Sequence, residues 1–141
     1  MYIPIRFFKR LLQLDILTEW QTHWASSAKG RAVFEIFDKV NPKRTLGSFF
    51  LNQIITGHGA IASYQYKFFN GSSTCSCGPS IEDRNHILFH YSNWTDIKKK
   101  YFPRNYKRSP LAKLLGNHQA RIGIELIMKH KLQTILDGLS D

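Results

Sequence analysis

Residues 75–90 read CSCGPSIEDRNHILFH and hold both cysteines of the chain and two of its six histidines. Cys75 and Cys77 flank a single serine, and Gly78 gives the backbone the freedom for a tight turn aiming two sulfurs at one point. His86 and His90 are four apart, so on a helix both imidazoles share a side. Two such sulfurs and two such nitrogens close a tetrahedron around zinc, with Zn–S ~2.3 Å and Zn–N ~2.0–2.1 Å. Cys75, Cys77, His86 and His90 are therefore the candidate metal ligands, and zinc is the expected cofactor. The cysteine spacing is tighter than the usual two to four intervening residues. Four protein ligands leave no open position for water, which marks a structural rather than a hydrolytic site. His58, in ITGHG, is a substitute ligand, but between Gly57 and Gly59 it reads as a turn histidine.

Around this irregular centre the chain follows helical periods. Leu17, Trp20 and Trp24 fall on one helix face, Ala28 continues the stripe, Gly30 is a plausible stop, and the tryptophans read as core. Leu46, Phe49, Phe50 and Ile54 mark a helix ending near Gly57, and Ile61, Tyr64 and Phe68 mark another. Ser80 and Asp83 have the spacing of a capping box ahead of a helix with Ile87, Tyr91, Trp94, Ile97 and Tyr101 on one face. Pro103 ends it, and Ser109-Pro110 supplies an N-cap and first residue for the next. Beyond Gly116-Asn117 a last helix carries Ile124, Ile127, Met128, Lys131 and Ile135. RAVFEIF, 31–37, alternates and is the one candidate for a β segment.

The expected fold is thus mainly α, a helical domain around a small irregular zinc knuckle. Its 141 residues suit one domain, 1–141, with a helical part 5–70, the knuckle 74–91 and a basic helical part 92–137. A hydrophobic share of 43% with 13% aromatics excludes a disordered tail. No apolar run approaches the ~18 residues of a membrane helix. The amino end, MYIPIRFFKRLLQL, has no acid until Asp15 and reads as an amphipathic helix with Phe8, Leu11 and Leu12 turned inward. A mitochondrial presequence is the alternative, but the stretch lacks serine. Arg6, Lys9 and Arg10 interrupt any secretory-type apolar core, so reduced cysteines and an intracellular place, nucleus or cytoplasm, are expected, with no membrane partner.

The net charge of +10 favours phosphates or anionic surfaces. From Ile97 to Ile124 there is no acid, while Lys98, Lys99, Lys100, Arg104, Lys107 and Arg108 lead a run of eight cations interleaved with Tyr101, Phe102 and Tyr106. Such cations neutralise phosphates, and exposed aromatics stack bases, so these six are the candidate contacts to RNA or single-stranded DNA.

Three stretches in order, EWQTHWASSAKGR, LNQIITGHGAIASYQYKF and CSCGPSIEDRNHILFH, resemble the carboxy-terminal tail of jockey-like non-LTR retrotransposon polyproteins. The likeness covers roughly residues 5 to 95. In that family the tail follows reverse transcriptase and RNase H domains, and its Cys-x-Cys-Gly knuckle closes with a cysteine five residues after the histidine. This chain has Tyr91 there, and Ile55-Thr56-Gly57 in place of Leu-Thr-Gly. The resemblance implies a nucleic-acid-binding accessory region with the upstream domains as candidate partners. It does not imply catalysis. Polymerase and RNase H sites converge several carboxylates on two magnesium ions, whereas this chain has ten acids and one adjacent pair, Glu82-Asp83, at a helix cap. No catalytic residue is expected. A zinc-stabilised protein-interaction module and a decayed transposon remnant are the alternatives.

Overall fold

Ile124, Ile127 and Met128 are fully enclosed on one face of the longest carboxy-terminal helix, and that face decides what packs where. The structure is a computed structural model that describes residues 2–44 and 47–139. Its contacts group into two compact units, Met1–Thr45 and Leu46–Asp141. The helices are α1 (Ile5–Ser26), α2 (Arg31–Phe34), α3 (Phe49–Thr56), α4 (Ala62–Phe69), α5 (Thr95–Tyr101), α6 (Leu111–Gly116) and α7 (His118–Gly138), with a π-helical turn at His86–His90 and a 3₁₀ turn at Tyr106–Arg108. Among the described residues the β structure is one antiparallel bridge, Thr74 to Ile81. The chain is mainly α, as its periods imply.

In the first unit the expected strand over 31–37 is instead the short helix α2. The alternating apolar residues find no partner strand, and Arg31 curls the backbone. Its guanidinium donates to the carbonyls of Trp24 and Ala25 and stacks on the rings of Phe34, at 4.3 Å, and Trp24. Trp24 in turn donates Nε1–H to the Phe37 carbonyl at 2.9 Å, and Gln21 bonds the backbone at Asp38 and Val40. The Trp-Gln-x-x-Trp and Lys-Gly-Arg signature is therefore a clasp that folds 31–40 back on the end of α1. Trp24 is half-buried, but Trp20 is exposed, which corrects its assignment to the core. Phe8, Leu11 and Leu12 are exposed rather than inward-facing, because the clasp engages only the carboxy-terminal end of α1. Ala28 lies beyond that helix, which stops at Ser26.

In the second unit α7 packs against α3, α5 and α6. Ile54, Ile61, Ile87, Leu88 and Leu114 complete a core with the three enclosed residues of α7. Each such side chain contributes about 1.5–3 kcal/mol through burial. Ser48 caps α3 and Asn117 caps α7, each accepting a backbone N–H. Leu46, expected to open the stripe of α3, lies outside the described residues. The cap of α6 is Pro110, whose carbonyl takes the amides of Lys113 and Leu114, whereas Ser109 ends the preceding 3₁₀ turn. Gln53, buried in α3, accepts the Ala60 amide at 2.7 Å and fixes the Gly57-His58-Gly59 turn.

Helices α5 and α7 approach closely at Gly123. A Cβ there would lie 2.8 Å from Tyr101 Cβ and 2.9 Å from a ring carbon of Phe102. Gly123→Ala should therefore destabilise by roughly 1–3 kcal/mol in urea titration, the cost of overpacking a fitted interior. Gly116→Ala, with nothing within 4 Å, should instead be neutral or stabilising by up to about 1 kcal/mol.

Candidate metal centre

The cysteine turn is built by backbone bonds. Cys75 N–H donates to the Ser80 carbonyl at 2.8 Å, Gly78 N–H to the Cys75 carbonyl at 3.1 Å, and Glu82 N–H to the Ser73 carbonyl at 3.0 Å. Gly78 sits at φ +152°, a conformation side chains disfavour, so the glycine after the second cysteine serves as its position suggested. Ser76, between the cysteines, shares a hydrogen bond with the Tyr91 hydroxyl, which also accepts from Asn93 at 2.9 Å. Burial raises the Tyr91 phenol pKa above its ordinary value, while the Ser76 bond opposes the rise. Tyr91, standing where the resembled family has a cysteine, thus buttresses the turn.

The helix bearing the histidines opens at Arg84. Its cap is Asp83, whose Oδ1 accepts the His86 amide at 2.7 Å. Ser80 contributes its carbonyl to the cysteine turn, so the expected Ser80–Asp83 capping box does not form. From His86 the turn widens, with Tyr91 N–H donating to the His86 carbonyl at 2.7 Å, an i to i−5 bond. Such π turns occur often at functional sites. The chain then extends, and Trp94 takes φ +24° before α5 begins. The single helix expected from Ile87 to Tyr101 is thus two, broken at 91–94.

These elements bring together three of the four predicted ligands. One donor atom each from Cys75, Cys77 and His86 lies within 4.8 Å of the others. Cys77 Sγ is 3.1 Å from His86 Nε2, and the Cys77 amide points at Cys75 Sγ at 3.3 Å. Cys75 is buried and Cys77 exposed. Burial, then the hydrogen bond with Cys77, raises the Cys75 thiol pKa above the usual range. Two soft sulfurs and one imidazole suit zinc. His90 stays outside the group: its ring is 6.2 Å from that of His86, and it is exposed at the end of the widened turn. His58 is also outside, stacked on Tyr64 at 4.5 Å.

Two polar anchors fix this segment to the core, and neither is apparent from spacing. Glu82, 2% exposed, meets Lys131 of α7 at 2.6 Å and accepts the Ala62 amide at the start of α4. Lys98, 4% exposed, donates its Nζ hydrogens to the carbonyls of Ile87 at 2.8 Å and Tyr91 at 2.7 Å. It closes the end of the π turn, which corrects its place among the phosphate contacts. Lys99, Lys100, Arg104, Lys107 and Arg108 are exposed. The aromatics between them face inward: Phe102 is buried, Tyr106 packs edge-on to it at 5.0 Å, and Tyr101 is half-buried.

Over 97 residues, 64% of its length, the chain is 31% identical to the Retrovirus-related Pol polyprotein from type-1 retrotransposable element R1 of Bradysia coprophila. Over 95 residues it is 28% identical to the corresponding polyprotein, R1 2, of Nasonia vitripennis. The match spans 10% of the first relative and 23% of the second. No family model and no solved structure matches the chain. The resemblance to a retrotransposon polyprotein, drawn from the three motifs, holds. No helix among the described residues is long and apolar enough to cross a membrane.

Burial, and after it the charge of Lys107, lowers the Lys98 amine from 10.5 to about 8. Between those two values the unfolded chain binds the extra proton, so Lys98's contribution makes stability rise with pH through that window. Denaturant titrations of the protein and of Lys98→Met at several pH values from 7 to about 10.5 check this. The stability difference between the two should shift toward the unsubstituted protein as pH rises, and a flat difference would contradict the assignment.

Proposed function

We propose that the chain is a non-catalytic accessory region of a non-LTR retrotransposon polyprotein. It binds RNA or single-stranded DNA beside reverse transcriptase and RNase H domains, and one zinc ion on Cys75, Cys77 and His86 steadies its centre. The observation that carries this reading is the exposed, acid-free set of Lys99, Lys100, Arg104, Lys107 and Arg108, which follows the three-donor cluster in the chain. The similarity to Pol polyproteins supports it. Zinc bound there supplies a cross-link between the cysteine turn and the π turn. The carboxylates nearest in sequence are engaged, Glu82 by Lys131 and Ala62 and Asp83 by the His86 amide, which supports a role without a general base.

A second reading, a zinc-stabilised protein-interaction module, is favoured by one observation. Phe7, Phe8, Leu11, Leu12 and Ile16 are exposed along α1. Retention of salt-insensitive partner binding with no affinity for single strands would move the balance to it.

Purified protein should carry about one zinc per chain, as one cluster implies. In native mass spectrometry Cys75→Ser, Cys77→Ser and His86→Ala should lose the ion, whereas His90→Ala and His58→Ala should keep it. Loss in His90→Ala alone would return that residue to the ligand set.

Affinity for a single strand should fall with salt at a slope of about −0.7 per phosphate neutralised. Three contacts give a loss of roughly tenfold or more between 50 and 200 mM salt. Replacing Lys99, Lys100 and Arg108 with Gln should flatten the slope while the circular dichroism spectrum stays unchanged. An unchanged slope would remove the basic run from the interface.

A further inference from the structure

The basic run is not uniform around its surface. Lys98, Lys99, Arg104 and Lys107 line one pocket of about 440 Å³ together with Thr95, Phe102, Pro103 and Tyr106. Three of these cations, Lys99, Arg104 and Lys107, are exposed to this space, and no carboxylate lines it. Lys98 is the buried member, and two of its three ammonium hydrogens are taken by the carbonyls of Ile87 and Tyr91. Gathering like charges in a partly enclosed space is unfavourable unless a counter-ion sits among them. The charge of Lys107 indeed acts against protonation of Lys98.

We propose that this pocket binds a phosphate monoester, the phosphorylated end of a nucleic-acid strand. The chemistry selects the group. A monoester carries about −1.5 to −2 charges and three acceptor oxygens, whereas a diester within a strand carries one charge. Arg104 offers a planar fork of donors, and Lys99 and Lys107 offer compact ammonium groups that act as point charges. The volume exceeds that of a phosphate and leaves room for the attached sugar. The apolar part of the lining, Phe102, Pro103 and Tyr106, keeps water away from one side and strengthens the charge–charge attraction. The same pocket accepts inorganic phosphate on this chemistry. Its assignment to a strand end rests on the nucleic-acid reading above.

The test uses the full chain and four probes: a hydroxyl-ended oligonucleotide, its 5′-phosphorylated and 3′-phosphorylated forms, and inorganic phosphate. A terminal phosphate should tighten binding by about tenfold at low salt, the effect of one charge-assisted hydrogen-bond set. Arg104→Gln combined with Lys107→Gln should bring the ratio between phosphorylated and hydroxyl-ended strands to about one. Lys100→Gln, outside the pocket, should weaken both strands alike and keep the ratio. A ratio near one in the unsubstituted protein, with salt-dependent binding intact, overturns the pocket and leaves the proposed function standing. Binding of inorganic phosphate, lost in the double variant, with no affinity for any strand supports the anion pocket and overturns its assignment to a strand end. No binding of any probe overturns both.

Discussion

The buried carboxylate of Glu82 is the interaction on which the second unit depends. Its side chain joins Lys131 of α7 and the first amide of α4, while its backbone amide and carbonyl pair with Ser73 and Ser63. Four segments distant in sequence thus meet at one residue that is almost wholly out of water. A charge in that position is tolerable only when paired and hydrogen-bonded. The arrangement meets the requirement twice, since a carboxylate at a helix start also complements the positive end of the helix dipole. Removing either charged partner would leave the other buried alone, a loss of about 3–5 kcal/mol by comparison with other buried pairs.

That anchor explains how an irregular stretch can carry three converging donors. Residues 71–83 form no helix and only one β bridge, so little regular hydrogen bonding holds them. Fixing Glu82 sets the chain just before Asp83, which starts the turn that carries His86. Tyr91 then holds Ser76 from the other end of that turn, and Lys98 satisfies carbonyls that the π turn leaves open. Cys75, Cys77 and His86 consequently approach each other through protein contacts made by residues that are not ligands. A metal held by these three donors would need outer support of this kind.

How much of this was legible in the sequence follows the range of each interaction. Apolar periodicity is a local property, and it placed α3, α4 and α7 and the enclosed face at Ile124, Ile127 and Met128. The cysteine turn and the approach of His86 to it were also local, set by a glycine and a short spacing. His90 was not, because four-residue spacing assumes an α-helical turn and the bond from Tyr91 to His86 makes a wider one. The strand expected at 31–37 failed for a related reason. Alternation is evidence of a sheet only where a partner strand exists, and Arg31 instead joined its own neighbours at Trp24 and Phe34. Glu82 with Lys131 could not be read at all, since nothing in spacing pairs residues 49 positions apart.

The lysines of α5 show how one run of identical residues divides its work. Successive helical side chains turn by about 100°, so Lys98 points into the core while Lys99 and Lys100 remain exposed. Burial makes Lys98 a structural donor and lowers its amine; its neighbours keep their charge in water. The interleaved aromatics are drawn further in, Phe102 buried and Tyr101 and Tyr106 half-buried, so the fully exposed side chains here are mostly cations. Base stacking, which needs exposed rings, is thus less favoured on this face than charge attraction. Charge attraction of this kind is indifferent to base identity. On the proposed nucleic-acid reading, such a face would grip a strand by its backbone or its end and would not read its sequence.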